Sequence, residues 1–100
     1  MSAISQRVAF VVPMFLNALS AIDLGQPQPA EALEDPKMMA TTVLVLLGGG
    51  DDAGMDVGDL AIASLARATI SLCDAPTESG AVAAYQRALE VWAEVDLHRR

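Results

Sequence analysis

Apolar residues along most of this 100-residue chain recur every three or four positions, which is the spacing of an α-helix. The C-terminal segment shows this pattern most clearly, with polar residues on the face opposite its apolar stripe. We predict a helix there, with Thr77 as its N-cap and Glu78 in its first turn, where acids are favoured. The stripe consists of Val82, Tyr85, Leu89 and Trp92, and the polar face of Gln86, Arg87, Glu90 and Glu94.

A second amphipathic segment precedes this one and ends where Asp74 is followed by Ala-Pro, a sequence that breaks helices. Either Asp56 or Asp59 is suited to cap the helix, because each side chain can accept a hydrogen bond from a backbone N–H. The expected polar positions are Asp59, Ser64, Arg67, Ser71 and Asp74, and the expected inward positions are Val57, Ala61, Leu65, Ala68 and Leu72.

The N-terminal part has a long apolar helix pattern from Ser2 to Leu24, interrupted by only a narrow polar stripe. We expect this helix to be buried on most sides. Pro13 removes an internal hydrogen bond, so it should kink the helix or divide it into two pieces. Gly25 and the prolines that follow should end it.

Two helix starts are predicted in the middle of the chain. Residues 29–34 suit a helix of a turn or two with acids near its N-terminus. Asp35 and Pro36 then suit the N-cap and first position of a longer helix, which Gly48 should stop. The run Thr41–Leu47 has an alternative as a buried strand by propensity, although the chain offers few strands to pair with it.

Together these segments predict an all-α fold: a compact bundle of about four main helices with short Gly/Pro-rich connections, in a single helical domain over residues 1–100. A chain of this length buries only about two-thirds of its unfolded surface, so its stability should be modest. Its apolar fraction, 53%, is slightly high for a lone small domain. Soluble monomers seldom keep large apolar patches exposed, so we expect an oligomer or a bound partner.

The charge is strongly negative and unevenly placed. Six Lys and Arg against thirteen Asp and Glu give a net charge of −7. Between Asp23 and Glu78 there are ten acids, and the only bases are Lys37 and Arg67. This argues against direct binding to nucleic acids or anionic membranes, which are themselves polyanions. An acidic middle region suits a protein partner with a basic surface, including a groove that normally holds nucleic acid.

The most unusual segment is Gly48–Asp59, which contains five glycines, four aspartates and no base. A calcium loop is one alternative, but an EF-hand starting at Asp52 would place Gly54 at a ligand position and Val57 where glycine is required. A nucleotide-binding loop after a strand is another, but it lacks a lysine and places two aspartates against the phosphates. The segment is better suited to cap a helix and to face a basic partner. The candidate partner-binding residues are Asp51, Asp52, Asp56 and Asp59, together with Glu31, Glu34 and Asp35.

Signals for catalysis and metal binding are weak. His98, the only histidine, lies two residues from the C-terminus and is expected to be a solvated cation at a helix end. Cys73 is the only cysteine, so it cannot form an intramolecular disulfide and is expected to be a small buried hydrophobe. The hydroxyls of Ser64, Thr69 and Ser71 have no histidine nearby in sequence. We therefore expect no enzymatic activity, no cofactor and no metal.

Two pairs of large side chains have alternative interpretations. Tyr85 and Trp92 share one helix face and should pack in the core, with a binding anchor as the alternative. Met38 and Met39 point about 100° apart on a helix, so at least one is a candidate for contact with a partner or solvent.

The apolar run Val8–Ile22 also permits a signal peptide, but about 15 residues are too few to span a bilayer. A core helix of a cytoplasmic protein is favoured.

In overall character the whole chain resembles the small, acidic, phage-encoded anti-CRISPR proteins. The likeness lies in its size, in Ala-rich helices interrupted by acid clusters at 31–35 and at Asp51-Asp52, and in the lack of enzyme motifs. The resemblance implies binding to a CRISPR surveillance complex in the host cytoplasm, with carboxylates at sites that otherwise contact target-DNA phosphates. It involves no motif that can be matched residue by residue.

Two hypotheses of function follow. The first is a non-enzymatic inhibitor whose acidic middle region docks on a basic, nucleic-acid-binding surface of a partner complex. The second is a self-associating helical structural or regulatory accessory protein, in which the acids serve only solubility and helix capping. It is suggested by an apolar surplus in the first two helices, which a bundle of four segments need not bury completely.

Overall fold

Four α-helices account for most of the chain that the computed structural model describes, which is residues 9–22, 29–47 and 57–98. Within these ranges there is no strand, so the predicted all-α fold is confirmed at this level. The helices are α1, Val12–Leu19; α2, Ala30–Leu46; α3, Val57–Asp74; and α4, Ser79–His98.

Helix α3 lies at the centre of the packing, because it contacts both α2 and α4, whereas α1 packs on α2. It is buried around much of its circumference rather than along one stripe. Small and aliphatic residues allow this close packing, and Thr69, also fully buried, donates its hydroxyl hydrogen to the Leu65 carbonyl at 2.7 Å. Its buried residues are Gly58, Asp59, Ala61, Ile62, Ala63, Leu65, Ala66, Thr69 and Leu72.

The predicted helix start at Asp35-Pro36 is wrong, because α2 continues through both residues as one helix. The buried positions of α2 explain why. They recur every three or four residues, so the Pro36 ring falls on the buried face and is almost completely enclosed. A proline inside a helix costs about 3 kcal/mol or more, and burial of the ring and of the residues on either side offsets that cost. These buried positions are Leu33, Pro36, Ala40, Val43 and Leu47.

The run Thr41–Leu47 belongs to the end of α2 and is not a strand. Both threonines adapt to the helix by donating their hydroxyl hydrogens to carbonyls one turn earlier. Thr41 bonds the Lys37 carbonyl and Thr42 the Met38 carbonyl, each at 2.9 Å. The backbone of this run forms helical hydrogen bonds, so it does not require a partner strand.

Helix α1 confirms that the N-terminal segment is divided near Pro13, but it ends earlier and is less buried than predicted. It begins at Val12, after turn residues Phe10 and Val11, so the helix pattern is interrupted just before Pro13. It ends at Leu19, well before Gly25, because the next turn tightens and the Ser20 hydroxyl bonds the Asn17 carbonyl at 2.7 Å. In addition to the polar stripe, two large apolar side chains are exposed here, Phe10 just before α1 and Met14 within it.

Helix α4 follows its prediction closely. Tyr85 and Trp92 are buried in the core, with Val82 and Leu89 half-buried beside them. The start of the helix differs slightly, because Glu78 precedes the first turn and its carbonyl accepts the first helical bond, from the Val82 N–H at 3.0 Å. The predicted polar face is exposed at Gln86, Arg87, Glu90 and Glu94.

Candidate functional site

Three of the predicted partner-binding acids lie in the first half of α2. Glu31, Glu34 and Asp35 are all exposed there. The structure divides them between two sides of the helix: Glu31 and Asp35 face the groove towards α1, and Glu34 faces a smaller pocket towards the end of α3. The acidic cluster of the sequence is therefore two separate surfaces.

The groove between α1 and α2 has a volume of about 720 Å³. Two of its three methionines, Met14 and Met38, have 57% and 59% of their surface exposed. We refer to it as the methionine groove, lined by Met14, Asn17, Ala18, Ser20, Ala21, Glu31, Ala32, Asp35, Met38 and Met39.

The helical period builds both walls of the methionine groove. On α2, Glu31, Asp35 and Met38 are separated by four and then three residues, so they share one face. On the other wall, Met14 and Ala18 have the same relation, and Ala21 follows them past the end of α1. Alanines leave space because they carry no atoms beyond Cβ, so the lining combines small residues with methionines.

Among the described residues that line the methionine groove there are two carboxylates and no base, so none of these residues neutralises the negative charge. Lys37, the base nearest in sequence, bonds instead to Asp74 at the end of α3, with 2.6 Å between Nζ and Oδ1. This hydrogen bond, helped by the carboxylate's charge, raises the pKa of Lys37. The positive charge of Lys37 is thus directed away from Glu31 and Asp35.

Asp59 does not belong to an exposed acidic surface. It lies in the first turn of α3 and is only 7% exposed, whereas Val57, which was expected to point inward, is exposed. The prediction from a single amphipathic stripe is wrong for these two residues, because α3 is buried on several sides. An acid in the first turn of a helix is favourable for the helix dipole, which gives Asp59 a structural role. Asp51, Asp52 and Asp56, and with them the capping alternative at Asp56, lie outside the described residues.

Cys73 lies at the smaller pocket, of about 310 Å³, with Leu33, Glu34, Lys37 and Asp74. It is half-buried rather than fully buried, and its Sγ contacts the Leu33 carbonyl at 3.6 Å. Burial raises the pKa of the thiol, and the nearby Lys37 charge only partly opposes this. A raised pKa disfavours the thiolate, and partial burial makes Cys73 part of the packing at the end of α3.

A second groove, of about 660 Å³, lies between α3 and α4 and has the opposite charge. Arg67 on α3 and Arg87 on α4 line it, together with Ser64, Ser71 and a floor of alanines. The molecule therefore places carboxylates at one interhelical groove and guanidinium groups at another.

Other chemistry has little support in the described part of the chain. There, no group of three or more His, Cys, Asp or Glu residues is arranged to hold a metal ion. None of its helices is long and apolar enough to cross a membrane. The predictions for the His98 side chain and for a cation at 48–56 lie outside what the structure describes. Tyr85 and Trp92 are buried, so they are core residues and not surface anchors.

The sequence predicted that at least one of Met38 and Met39 would be exposed, and Met38 is, but it did not predict that α1 contributes to the methionine groove. The signal was available: Met14 and Ala18 lie four residues apart, on the same face as the polar Asn17 and Ser20. No family model matches the chain, and no curated protein or solved structure is significantly similar to it. The groove and its charge are therefore the basis for proposing a function.

Proposed function

We propose that this protein is a non-enzymatic, acidic protein-binding module that docks on a basic, nucleic-acid-binding surface of a cytoplasmic partner complex and inhibits it. A CRISPR surveillance complex is the proposed example, from the resemblance in size and charge pattern. The observation that supports the proposal is the methionine groove, where Glu31 and Asp35 lie beside exposed methionines and no base is present among the described lining residues.

The physical basis of such inhibition is competition for the same cations. A surface that binds nucleic acid presents Lys and Arg to phosphates, and carboxylates at similar positions attract the same side chains. Charge alone gives fast association and a strong dependence on salt. The exposed methionines add apolar contact, which salt does not screen, and this slows dissociation.

The proposal is tested by affinity capture from a lysate of the native host, with mass spectrometry of the bound proteins. The variant Glu31→Gln with Asp35→Asn removes both groove carboxylates, and Glu90→Gln with Glu94→Gln is the matched control. The control acids are exposed on the outer face of α4 and change the net charge equally. We expect the same nucleic-acid-binding protein to be retained by the wild type and the control and lost with the groove variant.

A captured partner without nucleic-acid-binding activity would contradict the proposal, as would equal retention by both variants. Thermal melts of the variants must accompany the capture, because Glu31 lies in the first turn of α2 and interacts favourably with the helix dipole. That interaction is worth about 0.3–1 kcal/mol, which is too little to unfold the domain.

Self-association is the second candidate, and the exposed apolar residues on the α1–α2 side favour it. Phe10, Met14, Met38 and Val45 are each more than half exposed. Buried against a second copy, they would contribute to a dimer interface. Sedimentation velocity at micromolar concentration separates the two candidates: a stable oligomer that Val45→Lys dissociates supports self-association, and a monomer supports the binding module.

A further inference from the structure

We infer that the occupant of the methionine groove is a basic amphipathic α-helix of the partner. The inference rests on the proposed function and specifies the partner's chemistry at this site. Three properties support the inference: the apolar surface of the groove, its charge, and the need of the occupant's backbone to form hydrogen bonds.

The apolar part of the groove suits the side chains of a helix face. Methionine is unbranched and flexible, so Met14, Met38 and Met39 can adapt to large side chains inserted between them. The volume of about 720 Å³ accommodates several such side chains. A helix supplies them at intervals of three and four residues, with the rest of its surface left in solvent.

The charged part of the groove suits cations spaced by one helical turn. Glu31 and Asp35 lie four residues apart on α2, so their Cβ atoms are about 6 Å apart. Lys or Arg residues at positions i and i+4 of a facing helix have the same separation. The two ion pairs would therefore form together, at the edge of the apolar contact, where long basic side chains keep their charge in water.

The exposed face of α2 also gives the length of the occupant. From Glu31 the face continues past Met38 to Val45, a rise of about 21 Å along the helix. The first half of this face is acidic and the second half exposes Met38 and Val45. A helix of about 14 residues spans it, with its basic residues against the acidic half.

Other occupants fit less well. A second copy using the same face would cover Glu31 and Asp35 without bringing a base from the described lining residues, and nucleic acid is itself anionic. An extended strand needs a sheet edge to bond its backbone, and the described part of the chain has no strand. A helix satisfies its own backbone hydrogen bonds.

The test uses a synthetic Leu/Lys peptide of about 16 residues, in which leucines form one helix face and lysines at positions i and i+4 flank that face in one half of the peptide. A control peptide has the same composition in a scrambled order without an apolar face. Binding is measured by calorimetry and located by NMR of methionine methyl groups and backbone amides. We expect the patterned peptide to shift Met14, Met38 and Met39 and to bind at least about tenfold more tightly than the scrambled one.

Matched variants separate the two kinds of contact. Glu31→Gln with Asp35→Asn should lower the affinity for the patterned peptide about tenfold at low salt. Glu90→Gln with Glu94→Gln should leave this affinity within about twofold of the wild-type value. Met14→Ala with Met38→Ala should weaken it about tenfold at high salt as well, whereas Leu97→Ala, at an exposed apolar residue of α4, should not.

Equal affinity for the scrambled peptide, or shifts located at the α3–α4 groove, would overturn the inference. So would an absence of binding by the patterned peptide to the folded wild type. These failures differ from failure of the proposed function. If the capture experiment still retains a partner through Glu31 and Asp35, the module binds a basic surface that is not a helix.

Discussion

Tyr85 shows how the packing of one residue sets a measurable chemical property. It is 3% exposed, and burial raises the pKa of its hydroxyl to about 12, with a smaller contribution from Cys73. Because the folded-state pKa exceeds the ordinary value of 10, the neutral phenol contributes stability in full below pH 10. That contribution is lost as the pH rises from 10 to about 12.

We therefore expect Tyr85 to ionise late in an absorbance titration of tyrosinate, which reports this residue alone because the chain has one tyrosine. Chemical denaturation at a series of pH values should show the free energy of unfolding falling above pH 10. The same titration in denaturant is the control, and its midpoint should return to the ordinary pKa. A midpoint near the ordinary value in the folded protein would show that the side chain is solvated.

At the scale of helices, periodicity predicted most of the fold, and local start and stop signals predicted it less well. Helix α4 has one apolar stripe and one polar face, so counting residues located its core correctly. Asp35-Pro36 is a strong helix-start signal, but α2 begins earlier and continues through both residues, because Pro36 lies on its buried face. The same reasoning misplaced Asp59, since a central helix has no single inward face.

Gly80, in the first turn of α4, provides a test of local helix energetics. It is exposed, and a Cβ added there would lie 3.3 Å from the Glu78 carboxylate oxygen Oε1, at the end of a flexible side chain. Gly80→Ala should therefore stabilise the protein by about 0.5 kcal/mol, because alanine restricts the unfolded chain and favours the helix. Denaturant unfolding measures the change.

The matched control for this prediction is Gly80→Ala in a Glu78→Ala background, where the neighbouring carboxylate is gone. The stabilisation should be equal or slightly larger there. A loss of stability in both backgrounds would mean that the backbone at Gly80 does not tolerate a side chain, contrary to its place in the helix.

At the scale of the whole molecule, charge is segregated between two interhelical grooves. Glu31 and Asp35 line the groove between α1 and α2, and Arg67 and Arg87 line the groove between α3 and α4. The sequence predicted an acidic middle region but not this division, because it depends on which faces of neighbouring helices meet. The same limit applies to Glu34, which is adjacent to Asp35 in sequence but faces the other side of α2.

The central claim is that the carboxylates of the methionine groove compete with nucleic acid for a basic surface. The most direct measurement is displacement of a fluorescently labelled nucleic acid from the captured partner, followed by anisotropy. We predict displacement by the wild type and by Glu90→Gln with Glu94→Gln, and displacement about tenfold weaker by Glu31→Gln with Asp35→Asn. Nucleic acid that stays bound while this protein also binds the partner would contradict the account.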